Sequence, residues 1–317
     1  MFLFLAPLLS LLCSCPGREA SKDSAPKDLY WNRVPGPEGD RITDGAGNSI
    51  PLTRYRRIIV ISPGAVETLY IIGAEDSILA ISEGRDLAWP EEKTVLLPTV
   101  GNQARPNVEL IVSLEPDLII GNSMSVSLAE DFHRRGYQVI IHRGYHIEDI
   151  FNNTLLMGLL TGREEAAASV VAEKRAQLDT ITAELAERPL GLKGAFLYAA
   201  NPIMAYTGDT LPGEILRIMG VENIAAGLDI AEPILSPEYI LAADPDFLFG
   251  AISFRTPEDL IAAAPAIAQT RAGREKFIRI VPTALFLRYS PRMVEKVLEL
   301  YEAVREFSNK TDAAKGA

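Results

Sequence analysis

The sequence predicts an α/β protein of two small lobes, each with a mostly parallel central sheet, joined by one long rigid linker helix with a ligand cleft between the lobes. Three observations predict it. Short β-branched runs alternate with helical stretches along most of the chain, as in parallel sheets covered by helices. Two ordered sequence echoes relate the first half to the second. Between the halves lies Arg163–Glu187, a stretch with neither Gly nor Pro.

Composition sets the outer bounds. The chain has 317 residues, 48% hydrophobic and 23% charged, an ordinary globular balance long enough for two cores. Its 31 Lys and Arg against 42 Asp and Glu leave a formal charge of −11. That sign is opposite to the basic footprint of a nucleic-acid binder, so no nucleic-acid partner is expected.

The chain opens on Met1–Leu12, MFLFLAPLLSLL. This apolar stretch is shorter than the roughly 20 residues a membrane-spanning helix needs and suits the core of a signal peptide. Leu12-Cys13-Ser14-Cys15 resembles a bacterial lipobox, with Leu three residues and Ser one residue before Cys15. A signal peptide over 1–14 and lipidation at Cys15 follow as expectations. No Lys or Arg precedes the apolar run, so the usual basic n-region is missing or lies upstream. Residues 15–40 are rich in Lys, Asp, Ser, Pro and Gly and read as a flexible lipid-anchored tether. The two cysteines, Cys13 and Cys15, lie one residue apart at the end of the apolar run, where they cannot staple a fold.

The first echo aligns Glu67-Thr-Leu-Tyr-Ile-Ile-Gly-Ala-Glu75 with Glu214-Ile-Leu-Arg-Ile-Met-Gly-Val-Glu222, each preceded by Pro-Gly. The second aligns Glu109-Leu-Ile111 and Pro116–Gly121 with Glu238-Tyr-Ile240 and Pro245–Gly250, in the same order. Both echoes together imply a duplicated architecture. In the first lobe, 41–162, strands are expected at Arg57–Ile61, Ser77–Ser82, Asp117–Ile120 and Gln138–Ile141, with helices at Ala65–Ile72, Val108–Leu114 and Ser127–Arg135. Ser62-Pro63-Gly64 suits a helix start, because proline in the first turn forfeits no bond. The linker helix, 163–188, would run about 37 Å at 1.5 Å per residue. The second lobe, 189–310, repeats the alternation: strands at Gly194–Ala199 and Asp246–Phe249, helices at Glu214–Met219 and Pro237–Ala242, and a last helix from Pro291 to about Phe307. A disordered tail is expected over 311–317.

Several stretches then carry a specific resemblance: Ile42-Thr-Asp44, Arg57–Pro63 with Glu67, Pro106-Asn-Val-Glu109 and Pro116-Asp-Leu-Ile119, continued by Gly208, Glu214, Gly220, Asn223, Glu238 and Pro245-Asp246. From about Arg41 to Phe307 the chain resembles the substrate-binding lipoproteins of bacterial ABC importers for iron complexes, corrinoids and haem, the class with a helical backbone between lobes. The resemblance implies an exported, lipid-anchored, monomeric receptor with no catalytic activity and no cofactor of its own. It would hold a metal chelate or tetrapyrrole in a preformed cleft and deliver it to a membrane permease with its ATPase. It also implies one exposed permease-docking glutamate per lobe, assigned to Glu67 and Glu214. Read without the resemblance, each is a first-turn glutamate complementing a helix dipole.

A cleft between α/β lobes is lined by loops at the carboxyl ends of strands. That nominates Arg85, Trp89, Asn122, Tyr206, Arg255, Arg288 and Tyr289 as ligand-binding residues. Arginines would pair with anionic oxygens, and Trp89 or Tyr289 would stack on a flat macrocycle. Arg85 also has Asp86 and Glu83 as neighbours, and Arg288 with Arg292 also fits surface charge at the start of the last helix. His142 and His146 have ligand-like spacing, but Arg143-Gly144-Tyr145 between them reads as a loop, so no metal site is assigned. Bare zinc or manganese, or an oxyanion, is the alternative cargo. No Walker loop, nucleophile elbow or HExxH occurs in the sequence, which leaves a secreted hydrolase as the remote alternative.

Overall fold

The computed structural model describes residues 31–37, 39–84, 88–282 and 288–315. The expected signal peptide, the lipidation site Cys15 and the ligand candidate Arg85 lie outside the described residues. The folded body starts with a small antiparallel sheet, β1 (Trp31–Val34), β2 (Arg41–Asp44) and β3 (Ser49–Pro51), paired in the order β1-β2-β3. This corrects the expected tether, which cannot run to residue 40. Trp31 donates its indole N–H to the Asn152 carbonyl at 3.0 Å, and Arg33 pairs with Asp40, so the segment is bound to the body by specific contacts.

The first lobe centres on β4 (Ile58–Val60), β5 (Ile78–Glu83), β6 (Thr99–Asn102), β7 (Leu118–Asn122) and β8 (Val139–His142), all parallel in the order β6-β5-β4-β7-β8. Ile58–Val60 and Val139–His142 are buried throughout, as strands covered on both faces must be. Helices α1 (Pro63–Ile71), α2 (Glu91–Thr94), α3 (Val108–Ser113) and α4 (Val126–Arg134) connect them.

Helix α5 (Ile147–Thr161) follows β8 and has no counterpart among the sequence expectations. It is buried on nearly every side, including Asn152, Asn153 and Thr154, so its apolar residues show no one-sided stripe to read. Its first half, Ile147, Ile150 and Phe151, packs into the core of the second lobe; its second half, Leu156, Met157 and Leu160, packs into the first. The next helix, α6 (Glu164–Glu187), is the long linker, about 36 Å at 1.5 Å per residue. A Cβ at Gly158 would meet that of Ala167 at 2.5 Å, so glycine there lets α5 and α6 lie against each other.

The second lobe has β9 (Lys193–Ala200) and β10 (Ile203–Ala205) as an antiparallel pair, then α7 (Leu211–Ile218), β11 (Glu222–Asn223), α8 (Pro237–Ala243), β12 (Phe247–Gly250), α9 (Pro257–Ala263), α10 (Arg271–Arg274) and β13 (Ile278–Ile280). Strands β9, β12 and β13 are parallel neighbours, and β11 adds beside the start of β9. Helix α11 (Met293–Lys315) closes the chain. It continues well past Phe307, correcting the expected tail: no Gly or Pro interrupts it before Gly316, and Tyr301, Val304 and Ser308 are buried.

Candidate functional site: the interlobe cleft

Each lobe presents the carboxyl ends of its parallel strands to the other. The contacts that establish this begin at Ser62, where β4 gives way to α1. Ser62 Oγ and His142 Nδ1, at the end of β8, lie 3.0 Å apart. Tyr289, from the segment between β13 and α11, packs its backbone against Gly64, where a Cβ would meet the Tyr289 nitrogen at 2.7 Å. Its ring lies against Gly144 and 6.5 Å from the His142 ring. Glycine at 64 therefore permits the two lobes to touch backbone to backbone at the base of the cleft.

Glu67 is the centre of this seam. One turn into α1 and 2% exposed, it accepts a hydrogen bond from Ser290 Oγ at 2.6 Å and from the Trp89 amide at 3.2 Å. Arg288 Nη1 stands 3.2 Å and Arg292 Nη1 3.6 Å from its Oε1. The Arg292 guanidinium also lies 4.8 Å from the centre of the Trp89 ring, a cation–π contact. A cavity of about 470 Å³ opens here, lined mainly by the second lobe with Glu67 and Glu91 from the first, within the range of small-molecule sites. Its floor is apolar, with Phe249, Val281, Met293 and Leu300; its rim carries Arg279, Arg288, Arg292 and Lys296 against Glu67, Glu91 and Glu299. Four cations against three carboxylates make the rim locally positive on a chain whose net charge is −11.

Beyond Tyr289 the cleft wall turns aromatic. Tyr206 stacks on Tyr198 with ring centres 4.4 Å apart, and the Tyr198 hydroxyl donates to Glu232 at 2.9 Å. Burial first, and then the nearby Glu232, pushes the Tyr206 phenol up to about 12. Tyr198 is raised further for the same reasons, with the Glu232 hydrogen bond added. Tyr145, under the Arg143 guanidinium at 5.1 Å, follows β8; the exposed Met124 follows β7 in the first lobe and the exposed Ile252 follows β12 in the second. Exposed apolar side chains gathered at strand ends are what a cargo with flat apolar faces requires.

Among the sequence-predicted ligand residues, Trp89, Arg288 and Tyr289 therefore come together at the seam, and Tyr206 joins the aromatic wall. Asn122 and Arg255 enter neither group. Asn122 donates from its amide to Gln103 Oε1 at 2.6 Å and accepts from the Met124 amide at 3.0 Å, so its side chain organises its own loop. Arg255 is exposed just before α9, its backbone amide donating to Asp259 at 2.8 Å. Tyr198, Glu232 and Ser290 were not legible as site residues; the only available signal was an aromatic residue toward the carboxyl end of β9. His142 and His146 are separated by their surroundings: His142 is buried in the seam, whereas His146 caps α5 with Nδ1 3.4 Å from Glu214. The Nε2 of His142 makes no hydrogen bond of normal geometry, and burial pulls the imidazole down to about 4, opposed by the Tyr289 backbone.

The expected exposed glutamates need correction. Glu67 is buried and held by two arginines, so it has no free face for a permease. Glu214, mostly buried, accepts from the Ile147 amide at 2.9 Å and pairs with Arg217 at 3.2 Å. Glu214 does lie in the first turn of α7 while Glu67 lies one turn into α1, and both helix starts face the opposite lobe rather than solvent. The glutamates of the second echo, Glu109 in α3 and Glu238 in α8, are exposed.

Two parallel-sheet lobes, a long connecting helix and a cleft between strand ends define a two-lobed solute receptor. The chain belongs to the periplasmic binding protein family, whose model matches residues 58–285. It is 26% identical over 272 residues to a cobalamin-binding protein of Halobacterium salinarum, covering 82% of this chain and 72% of that protein. It is 26% identical over 207 residues to a vitamin B12-binding protein of Vibrio vulnificus, covering 63% of this chain and 73% of the relative. Among solved structures it shares its fold with the periplasmic vitamin B12 binding protein BtuF of Vibrio cholerae, at a TM-score of 0.65 and 22% identity over 80% of this chain and 98% of that one. The periplasmic heme binding protein HutB of Vibrio cholerae matches at 0.70 and 20% identity, over 78% and 98%. Among the described residues no helix is long and apolar enough to cross a membrane.

Proposed function

We propose that this protein is the extracytoplasmic receptor of an ABC importer and that its cargo is a tetrapyrrole, with a corrinoid as the first candidate. The observation that carries the reading is the composition of the cleft: stacked Tyr198 and Tyr206, exposed Tyr145, Met124 and Ile252, and a positive rim at Arg288 and Arg292. Flat apolar walls fit the faces of a macrocycle, and the cationic rim fits the carboxylate, phosphate or amide oxygens at its periphery. The names of the relatives, which bind cobalamin, point the same way. A single connecting helix and an α5 shared by both cores favour a preformed cleft, which lowers the ordering cost of binding.

The same reading places the permease contact at Glu109 and Glu238. They occupy equivalent positions in the two lobes, each the second residue of a helix whose cap, Asn107 or Ser236, accepts from the backbone. Exposed paired charges of this kind steer encounter and fix register. A lipid anchor at Cys15 would keep the receptor beside that permease.

The test is a titration of the purified full chain with cyanocobalamin, dicyanocobinamide, haemin and a ferric hydroxamate, read by absorbance after gel filtration. Stoichiometric retention of a tetrapyrrole supports the proposal. Retention of the hydroxamate alone, or of none of the four, overturns the tetrapyrrole assignment.

A further inference from the structure

We propose that Glu67 and Glu214 form a crossed pair of ties between the lobes that sets the width of the cleft, with Glu67 also acting as the positioning residue for Arg288. The second part rests on the reading that cargo binds in this cleft. The two residues match in the first echo, and the structure gives them matching partners in the opposite lobe. Glu67, on the first helix of the first lobe, takes hydrogen bonds and ion pairs from Arg288, Ser290 and Arg292, which lead into α11, the last helix of the second lobe. Glu214, on the corresponding helix α7 of the second lobe, takes the first backbone amide of α5, the last helix of the first lobe before the linker, and lies beside His146. Each lobe thus reaches across with one carboxylate and grips the start of the other's closing helix. The crossing follows from the duplication: a contact made once between equivalent surfaces recurs with the roles of the lobes exchanged.

The two ties differ in strength by their chemistry. Glu67 is buried among charged donors from the opposite lobe, whereas Glu214 takes only a neutral amide across the seam, beside a half-exposed histidine, its charged donor Arg217 lying on its own helix. A carboxylate held by charged donors is the stronger, and burial prevents water from replacing it. Arg288 has only 13% of its side chain exposed, and it lines the cavity. Glu67 is one of the partners that hold its direction, so loss of that carboxylate loosens the guanidinium where it lines the cavity.

The experiment is hydrogen exchange with mass spectrometry on the full chain and on Glu67→Gln, Ser290→Ala and Glu214→Gln, with cyanocobalamin and haemin titrations on the same samples. Glu67→Gln is expected to raise exchange in 288–294, over 200 residues away in sequence, by about tenfold or more, the scale of one lost charge-assisted hydrogen bond. Ser290→Ala, which leaves every charge in place, is expected to raise exchange in 63–70 by a smaller factor, and Glu214→Gln in 147–151. Where the wild type binds a tetrapyrrole, Glu67→Gln is expected to weaken it at least as much as Arg288→Met does. The ties are overturned if exchange rises only within the lobe carrying each substitution. Positioning is overturned if Glu67→Gln leaves tetrapyrrole affinity at the wild-type value while Arg288→Met lowers it. A wild type that binds no tetrapyrrole contradicts the cargo assignment, and the exchange pattern still decides the ties.

Discussion

Four glutamates sit near the starts of four helices, two from each echo, and the structure treats the pairs oppositely. Glu67 and Glu214 turn inward and join the lobes; Glu109 and Glu238 stay exposed. The difference comes from what each helix start faces. Helices α1 and α7 begin beside the opposite lobe's closing helix, whereas α3 and α8 begin at the periphery of their own sheets. Equivalence between residues is written in a repeated sequence, but exposure is a property of the seam the two copies make. A first-turn carboxylate on the surface contributes a few tenths of a kcal/mol through the helix dipole, and the same carboxylate among buried arginines becomes a structural element.

The largest effect that would break this comparison belongs to Glu67→Ala. Removing one partner of a buried ion pair takes a carboxylate from both Arg288 and Arg292, at a cost of roughly 3–5 kcal/mol, toward the lower end because Arg292 reaches water. Urea unfolding should show a correspondingly lower midpoint; an unchanged midpoint would mean that Glu67 bears no load across the seam.

Next comes His142, buried in the same seam with its pKa depressed to about 4 by desolvation. The unfolded chain binds the proton below about pH 6.5 while the native state stays neutral, so stability is full above that pH and falls as pH drops toward about 4. The loss amounts to roughly 3 kcal/mol and levels off once both states are protonated. His142→Gln should flatten this part of the profile in thermal melts between pH 4 and 7. A variant that keeps the wild-type slope would assign it to other groups.

Glu214→Ala should cost about 1 kcal/mol, the value of a lost helix cap, because the Ile147 amide loses its acceptor. The outward pair should be nearly silent in stability: Glu109→Ala and Glu238→Ala are each expected within about 0.5 kcal/mol of wild type by urea unfolding. A loss of several kcal/mol from either would place it in a structural role and erase the distinction between the pairs.

Much of this architecture was legible before any coordinates. Runs such as Ile58-Ile-Val60 and Leu118-Ile-Ile120 are buried on both faces and carry a continuous apolar signal, and α6 announces itself by the absence of helix breakers. Helix α5 was invisible because a helix buried all round loses its amphipathic period. The small sheet β1–β3 was hidden by charge: Arg33, Asp40 and Arg41 look like tether composition but make the contacts that hold it. Trp89, Arg288 and Tyr289, nominated because strand-end loops are where clefts form, lie together at the seam. Asn122 caps its own turn, a use of a strand-end side chain that spacing alone does not distinguish from ligand contact. The fate of Glu67 depended on Ser290 and Arg292, 223 and 225 residues further on, a pairing that no local pattern records.

The division of labour between the two glutamate pairs is tested most directly by uptake of radiolabelled cyanocobalamin in cells that express the cognate permease and lack any other receptor, paired with affinities of the same purified variants. The account predicts that Glu109→Ala with Glu238→Ala abolishes uptake while affinity stays at the wild-type value, and that Glu67→Gln lowers affinity and uptake together. Normal uptake by the Glu109 and Glu238 double variant, or uptake lost with affinity intact in Glu67→Gln, would contradict it.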